Sequence, residues 1–423
     1  MTGVHRAADV PHDLDFDCEL SVVMPCLNEA STLYSCIRSA RDTMREAGIR
    51  GEVIVADNGS TDDSLEIARS LGARVVQERR RGYGSALRAG CEAARGKFIL
   101  MADADESYDF GELGSFLREL RGGSELVMGT RLKGKIDQGA MPWKNRYLGN
   151  PVLTRFLNRL YGTHVSDAHC GMRAFTKEAY RRMNLRSSGM EFASEMVIGA
   201  SRSGLRVSEV PIAFHRDGRD RPPHLRPWRD GWRHLKLILV FSPTALFLVP
   251  GMAFFLLGLA LMVGQLFAPL DRPLEFLGVR MDFHWAILGS LLALVGYQIL
   301  TTYFLVRIYS VVHLFRRKDR VLQVGFRLIT LDRALVVGLV MLLAGLVLDG
   351  VVVLRWLSSD FGALVGVYTR LFILGSTLIC LAIQTIFNAF FLSILGDAYK
   401  KDISTEESAA GEEAVWRAEP RAN

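Results

Sequence analysis

Two aspartates separated by one alanine, Asp103 and Asp105 in F-I-L-M-A-D-A-D-E-S, follow directly on an apolar run with the length of a buried strand. Carboxylates delivered by a strand end suit a hard cation such as Mg2+ or Mn2+, which binds through one or two carboxylates and substrate phosphates. The same pattern also describes a strand that merely ends in a polar turn, and a lone D-x-D does not separate the two. Convergence of both carboxylates on one ion requires the chain to turn at this point.

Two other apolar runs end in a similar way, one in P-C-L-N-E (Pro25 to Glu29) and one in D-N-G-S-T-D-D (Asp57 to Asp63). Taken singly, each is explained by helix capping, with Asn28, Ser31, Ser60 and Thr61 as the capping residues. Three acidic strand ends on one edge are more than capping requires.

The elements that must position these residues are legible as an alternation. L-S-V-V-M-P, E-V-I-V-A-D, A-R-V-V-Q-E, K-F-I-L-M-A-D and E-L-V-M-G-T read as strands, separated by amphipathic stretches such as S-T-L-Y-S-C-I-R-S-A-R-D-T-M-R-E-A-G. This is the pattern of an α/β domain, a mostly parallel sheet with helices on both faces. Ligands in such sheets bind beyond the carboxyl ends of the strands.

The 423 residues divide by charge. Nothing is charged between Lys236 and Asp271, between His284 and Arg307, or between Arg370 and Asp397, and Ala334 to Leu354 is interrupted only by Asp349. A hydrocarbon core of roughly 30 Å takes about 20 helical residues, so four membrane helices are expected. Asp349 carries two readings, a place in the bundle interior or one near the outer boundary, and the boundary is the simpler expectation. Arg316, Arg317, Lys318, Arg320, Arg327 and Arg333 lie between the second and third helices, and R-D-G-W-R-H-L-K precedes the first. By the positive-inside rule both ends and the soluble domain are then cytoplasmic.

The formal charge of +6 fits attraction of these segments to anionic lipid headgroups, and Trp228 and Trp232 read as interfacial anchors. No aromatic and basic module supports nucleic acid as a partner. The six cysteines lack C-x-x-C spacing and imply neither zinc nor a disulfide framework. The expected organisation is a flexible leader at 1–18, a catalytic domain at 19–218, a basic juxtamembrane segment at 219–236, a transmembrane region at 237–397 and a polar tail at 398–423.

The ordered motifs P-C-L-N-E, V-A-D-N-G-S-T-D, G-Y-G-S-A-L-R-A-G, M-A-D-A-D and G-T-R resemble the catalytic domain of glycosyltransferase family 2, over roughly residues 20 to 220. Within it the chain is most similar to the dolichyl-phosphate mannosyltransferase group and to bacterial relatives that charge undecaprenyl phosphate. The resemblance implies a GT-A fold and, for the activity, transfer of a hexose from a nucleotide-diphosphate sugar of the GDP-mannose or UDP-glucose type to a polyprenyl phosphate. It implies that Pro25, Leu27, Glu29, Val55 and Asp57 line the nucleotide site, and that Asp103 and Asp105 hold Mg2+ or Mn2+ at the donor diphosphate. Arg131 is implied at the phosphate groups, Arg146 and Asn150 at the lipid phosphate, and Arg216 and Arg221 at the donor diphosphate.

Each implied role has a plainer alternative. Where the family often has D-A-D-x-Q, this chain has Ser107, so the third metal ligand falls to water, Ser107 or Glu106. Arg131 could be one arginine of a solvated face, and Asp167 and Arg173 an internal ion pair. His169 could be a base or a hydrogen-bonded turn residue, and Glu195 is equally open. Two other activities compete: a processive polysaccharide synthase, whose Q-x-x-R-W motif is replaced here by H-L-R-P-W-R-D-G-W-R, and a non-catalytic membrane scaffold or transport protein that binds nucleotide sugar.

Overall fold

The structure, a computed structural model, describes residues 18–219, 227–267, 274–276, 279–309, 330–362 and 366–418. The leader to residue 17, Arg221, and Arg316, Arg317, Lys318, Arg320 and Arg327 lie outside the described residues. The chain forms two units, 1–241 and 242–423.

The first unit is built on a seven-stranded sheet in the order β3-β2-β1-β4-β6-β5-β7. Its strands are β1 (Leu20–Cys26), β2 (Gly51–Asp57), β3 (Arg74–Gln77), β4 (Phe98–Met101), β5 (Leu126–Thr130), β6 (Arg173–Thr176) and β7 (Val207–Pro211). All neighbours pair in parallel except β6, which runs antiparallel to both β4 and β5. The sequence reading contains no strand at β6. R-A-F-T is short, and its arginine, Arg173, is fully buried, which no hydropathy pattern suggests.

Alternation along β1 explains why both faces are covered. Leu20, Val22 and Met24 join one core with Leu33, Ile37, Phe116 and Leu117, from α1 (Ala30–Glu46) and α4 (Leu113–Arg121). Val23, from the opposite face, joins a second core with Leu87, Phe192 and Met196, from α3 (Tyr83–Ala93) and α7 (Phe192–Arg202). A strand buried on both sides reads as a continuous apolar run, as F-I-L-M does in β4. The remaining helices of this unit are α2 (Ser64–Ser70), α5 (Asn150–Tyr161), α6 (Lys177–Met183) and α8 (Pro227–Val240).

Helix α8 belongs to the first unit. Asp230, His234 and Ile238, four residues apart and so on one helical face, are buried, while Trp228 and Trp232 are 91% and 61% exposed. The Tyr161 phenol of α5 donates to the Ile238 carbonyl at 2.7 Å.

The second unit contains four helices long and apolar enough to cross a membrane, over Thr244–Leu266, Phe283–Ile308, Leu331–Ser358 and Val367–Gly396 among the described residues. These spans lie in α9 (Val249–Leu266) with the π-helical turn before it, α10 (Phe283–Tyr309), α11 (Leu331–Ser358) and α12 (Val367–Ala418). The short strands β8 (Leu274–Phe276) and β9 (Val279–Met281) pair between α9 and α10. Small residues set the close approaches: a Cβ on Gly258 would meet the Ala293 nitrogen at 2.4 Å, and one on Gly345 would meet the Gly375 carbonyl at 2.7 Å.

Asp349 makes its contact on a neighbouring helix. Its carboxylate accepts from Ser376 Oγ of α12 at 3.0 Å, nine residues before the end of α11. A polar side chain within a span is stabilised by a partner on the neighbouring helix, and here that partner is within the bundle. The stretch after residue 397, expected as a polar tail, continues α12 as helix to Ala418.

Candidate active site

Strands β1, β2 and β4 run in parallel, so their carboxyl ends reach one edge of the sheet. Cys26 pairs in register with Asp57, and Val23 with Met101. The polar residues that follow all three strands therefore meet there, as the alternation predicts.

The chain does turn at D-A-D. Beyond β4, Glu106 adopts a left-handed φ of 64°, and the Ser107 amide donates back to Asp105 Oδ1 at 3.1 Å. Thr32 of α1 fixes the turn from the side by donating to the Ala104 carbonyl at 2.6 Å. Asp103 Oδ1 accepts from the Tyr83 phenol at 2.8 Å. A Cβ on Gly171 would stand 2.7 Å from Asp103 Oδ2 and 2.8 Å from the Tyr108 hydroxyl, so only glycine fits against the carboxylate there.

Burial, and then the neighbouring Asp105 carboxylate, push Asp103 up to about 7, against the hydrogen bond from Tyr83. A buried carboxylate beside a second one resists ionisation, and a cation between the two relieves it. The structure already places one positive group here, since Arg219 Nη2 lies 2.5 Å from Asp105 Oδ2. The donor set therefore fits a divalent ion held by Asp103 and Asp105, with oxygen ligands from elsewhere completing its shell. No cluster of three or more His, Cys, Asp or Glu side chains suited to a metal occurs among the described residues. Glu106 accepts from Ser35 Oγ, and so its carboxylate is engaged with α1.

At the β1 and β2 ends, Glu29 is 5% exposed and its Oε1 lies 3.2 Å from Arg219 Nη1. Asp57 accepts from the Gly59 and Ser60 amides at 3.2 and 3.0 Å, closing a turn in which Gly59 has φ 95°. Asn28, at φ 58°, joins the two ends by accepting from the Thr61 amide at 2.7 Å. Pro25 and Leu27 are half-buried beside them. Val55 is wholly buried, pairs with Met24 and Val75, and lies two residues inside the edge, where it supports the sheet.

The arginines are redistributed. Arg131 is not a free phosphate ligand, because its Nε and Nη2 pair with the two oxygens of the fully buried Asp167 at 2.7 and 2.9 Å. Burial works against charge on both, yet each holds the other ionised, with Arg131 raised and Asp167 lowered. Asp167 is thus the partner of Arg131. Arg173 instead donates to the carbonyls of Ala168, Cys170 and Ala193.

Arg216, expected at the diphosphate, is exposed beside Gly139, and among the described loop arginines Arg219 is the one that reaches the carboxylates. Neither Tyr83 nor Arg219 is singled out by the sequence reading, although G-Y-G-S is among its motifs. Arg146 stacks over Tyr147 at 5.4 Å in the π-helical turn before α5, and Asn150 Nδ2 approaches Met141 Sδ at 3.8 Å. Neither of these contacts reaches the carboxylates.

His169 is enclosed by structure. Its ring stands edge-to-face with His234 at 4.6 Å, and Ser194 Oγ lies 3.4 Å from His169 Nε2 and 2.8 Å from His234 Nδ1. Burial keeps His169 neutral, far below the usual range, and lowers His234 to about 4. Glu195 accepts from the Arg186 and Ser187 amides at 2.9 and 2.8 Å and so organises the turn before α7.

Comparison with known proteins decides the family. A profile described as Glycosyl transferase family 2 matches residues 21–183, and one described as Glycosyltransferase family 2 C-terminal transmembrane region matches residues 304–396. The chain is 37% identical over 404 residues, 94% of each protein, to the low-salt glycan biosynthesis hexosyltransferase of Haloferax volcanii. The chain belongs to glycosyltransferase family 2. This family 2 enzyme is also 34% identical over 198 residues to a dolichyl-phosphate hexose transferase of the same organism, across 46% of this chain and 82% of that one. Among solved structures it is similar to glucosyl-3-phosphoglycerate synthase of Mycobacterium tuberculosis in complex with Mn2+, UDP and glucosyl-3-phosphoglycerate. That likeness is 23% identical with a TM-score of 0.41, covering 56% of this chain and 85% of that one. The α/β sheet is the architecture that the family resemblance implied, and the four membrane-length helices are those that the uncharged stretches predicted.

Proposed function

We propose that this family 2 glycosyltransferase moves a hexose from a GDP- or UDP-sugar to a polyprenyl phosphate, dolichyl or undecaprenyl, at the cytoplasmic face of a membrane, with both chain ends cytoplasmic. The observation that carries the reading is the Asp103 and Asp105 pair, enclosed at the carboxyl edge of the sheet, in a chain that also has four membrane-length apolar helices. The names of the two Haloferax volcanii relatives, a glycan hexosyltransferase and a dolichyl-phosphate hexose transferase, support the hexose and the lipid acceptor. The juxtamembrane segment and its exposed Trp228 and Trp232 would hold the catalytic unit at the lipid surface where such an acceptor is presented.

In this reading the nucleotide base and ribose lie against Pro25, Leu27, Glu29 and Asp57. Asp103 and Asp105 hold Mg2+ or Mn2+, which when bound neutralises the developing charge on the leaving diphosphate. Arg131, fixed by Asp167, presents Nη1 and its positive field to phosphate oxygens, and Arg146 and Asn150 receive the lipid phosphate. That phosphate is already ionised near neutrality, so the protein supplies alignment more than a base. An acceptor oxygen forms a bond to the anomeric carbon as the bond to the diphosphate oxygen breaks, in one inverting displacement, and the nucleoside diphosphate departs with the electron pair.

The test is transfer of radiolabelled sugar from a panel of GDP- and UDP-sugars to short polyprenyl phosphates in detergent. One labelled sugar per lipid from one donor is expected. Long polymer, or donor binding with no turnover on any acceptor, would overturn the reading.

A further inference from the structure

The Arg219 guanidinium is enclosed by three carboxylates. Nη2 is 2.5 Å from Asp105 Oδ2 and 2.6 Å from Asp217 Oδ2, Nη1 is 3.2 Å from Glu29 Oε1, and Nε is 2.8 Å from both oxygens of Asp217. The side chain is only 13% exposed, so these pairs act where water screens little. The backbone of the same loop is fastened to the D-A-D turn independently: the Gly218 amide donates to the Asp105 carbonyl and the His215 amide to the Ser107 carbonyl, each at 3.0 Å. The loop therefore stays on the turn whatever the Arg219 side chain does.

A guanidinium and a divalent cation on the same Asp105 oxygen would crowd two positive charges together, so each weakens the other's hold. We propose that Arg219 is an internal counterion that competes with the divalent cation for Asp105, and that a metal–nucleoside diphosphate complex displaces it where the bare ion does so poorly. This rests on the reading of Asp103 and Asp105 as metal ligands. Displacement moves the guanidinium off a carboxylate beside which a diphosphate would lie, and its fork pairs with phosphate oxygens as readily as with carboxylate. Metal and donor would then enter together, and the loop arginine would change anions rather than lose one.

The sign of one measurement separates this from a supporting role. If Arg219 competes, removing it leaves Glu29, Asp105 and Asp217 without that counterion and a cation binds more tightly. If Arg219 merely holds Asp105 in place, removing it disorders the ligand and a cation binds more weakly. Mn2+ binding to the full-length protein in detergent, followed by electron paramagnetic resonance without donor, should be about tenfold or more tighter in Arg219→Ala than in the wild type, with Arg219→Lys between them. Added GDP or UDP should tighten Mn2+ binding in the wild type and do so less in Arg219→Ala.

Unchanged or weaker binding in both variants, still abolished by Asp105→Asn, would overturn the competition while leaving the metal site intact. Absence of Mn2+ binding in wild type and Arg219→Ala alike would overturn the metal assignment and the competition with it.

Discussion

Arg131 and Asp167 form a two-point ion pair inside the first unit, 2.7 and 2.9 Å long, with the aspartate fully buried. It fastens the end of β5 to the loop before β6, the segment that precedes Gly171. Breaking one side of such a pair leaves an uncompensated buried charge, at a cost of about 3–5 kcal/mol. Arg131→Ala is expected to destabilise the unit by that order in chemical denaturation, and Arg131→Ala with Asp167→Ala by less than the sum of the two single changes. Additive effects would deny the coupling.

Asp103 gives the metal site its pH dependence. Its proton, held up to about 7, must leave before a cation binds, so Mn2+ affinity should fall about tenfold per pH unit below 7 and level off above it. In cation-free protein the sign reverses for stability. The unfolded carboxylate titrates near 3.8, so the folded form keeps a proton the unfolded chain has lost, and this group's contribution declines as pH rises from 3.8 towards 7. Tyr83→Phe removes a hydrogen bond to the ionised form and should move the affinity midpoint to higher pH. A midpoint left in place, in titration by paramagnetic resonance, would remove Tyr83 from this role.

Gly171→Ala inserts a methyl 2.7 Å from Asp103 Oδ2 and 2.8 Å from the Tyr108 hydroxyl. One of the two must shift, and overpacking of this kind typically costs about 1–3 kcal/mol. Loss of at least tenfold in Mn2+ affinity is expected, with a smaller change in melting temperature. Full affinity in this variant would mean that Asp103 tolerates displacement and is not positioned by Gly171.

The two histidines predict acid sensitivity of the opposite slope. His234 is held neutral by burial from 6.5 down to about 4, so the unfolded chain binds a proton first as pH falls. Stability should drop between pH 6.5 and 4 by up to ~3 kcal/mol from this residue. His234→Gln, which keeps a polar partner for Ser194, should flatten that slope in urea titrations at several pH values. An unaltered slope would assign the acid sensitivity elsewhere.

The sheet edge was legible because strands buried on both faces read as apolar runs, and parallel topology sends their polar sequels to one side. Glu29, Asp57, Asp103 and Asp105 follow from that alone. What escaped notice depends on contacts distant in sequence. Tyr83 reaches Asp103 across α3, and Asp167 chooses Arg131 over the nearer Arg173 because β6 turns back antiparallel between β4 and β5. Among the described basic residues after β7, Arg219 is favoured by Gly218, whose amide bonds to the Asp105 carbonyl and sets the register of the loop. Val55, the apolar residue of V-A-D, precedes the edge that the aspartate reaches. Asp349 shows the same limit in the membrane unit, since its partner Ser376 lies on another helix.

The most direct test of the central claim is single-turnover transfer by the detergent-solubilised protein, with the donor that the sugar panel selects, a short polyprenyl phosphate and Mn2+, with and without chelator. The wild type should yield one sugar per lipid with inverted anomeric configuration and lose it on chelation, and folded Asp105→Asn should yield none. Undiminished product in Asp105→Asn, or in the presence of chelator, would contradict a metal-assisted transfer centred on Asp103 and Asp105.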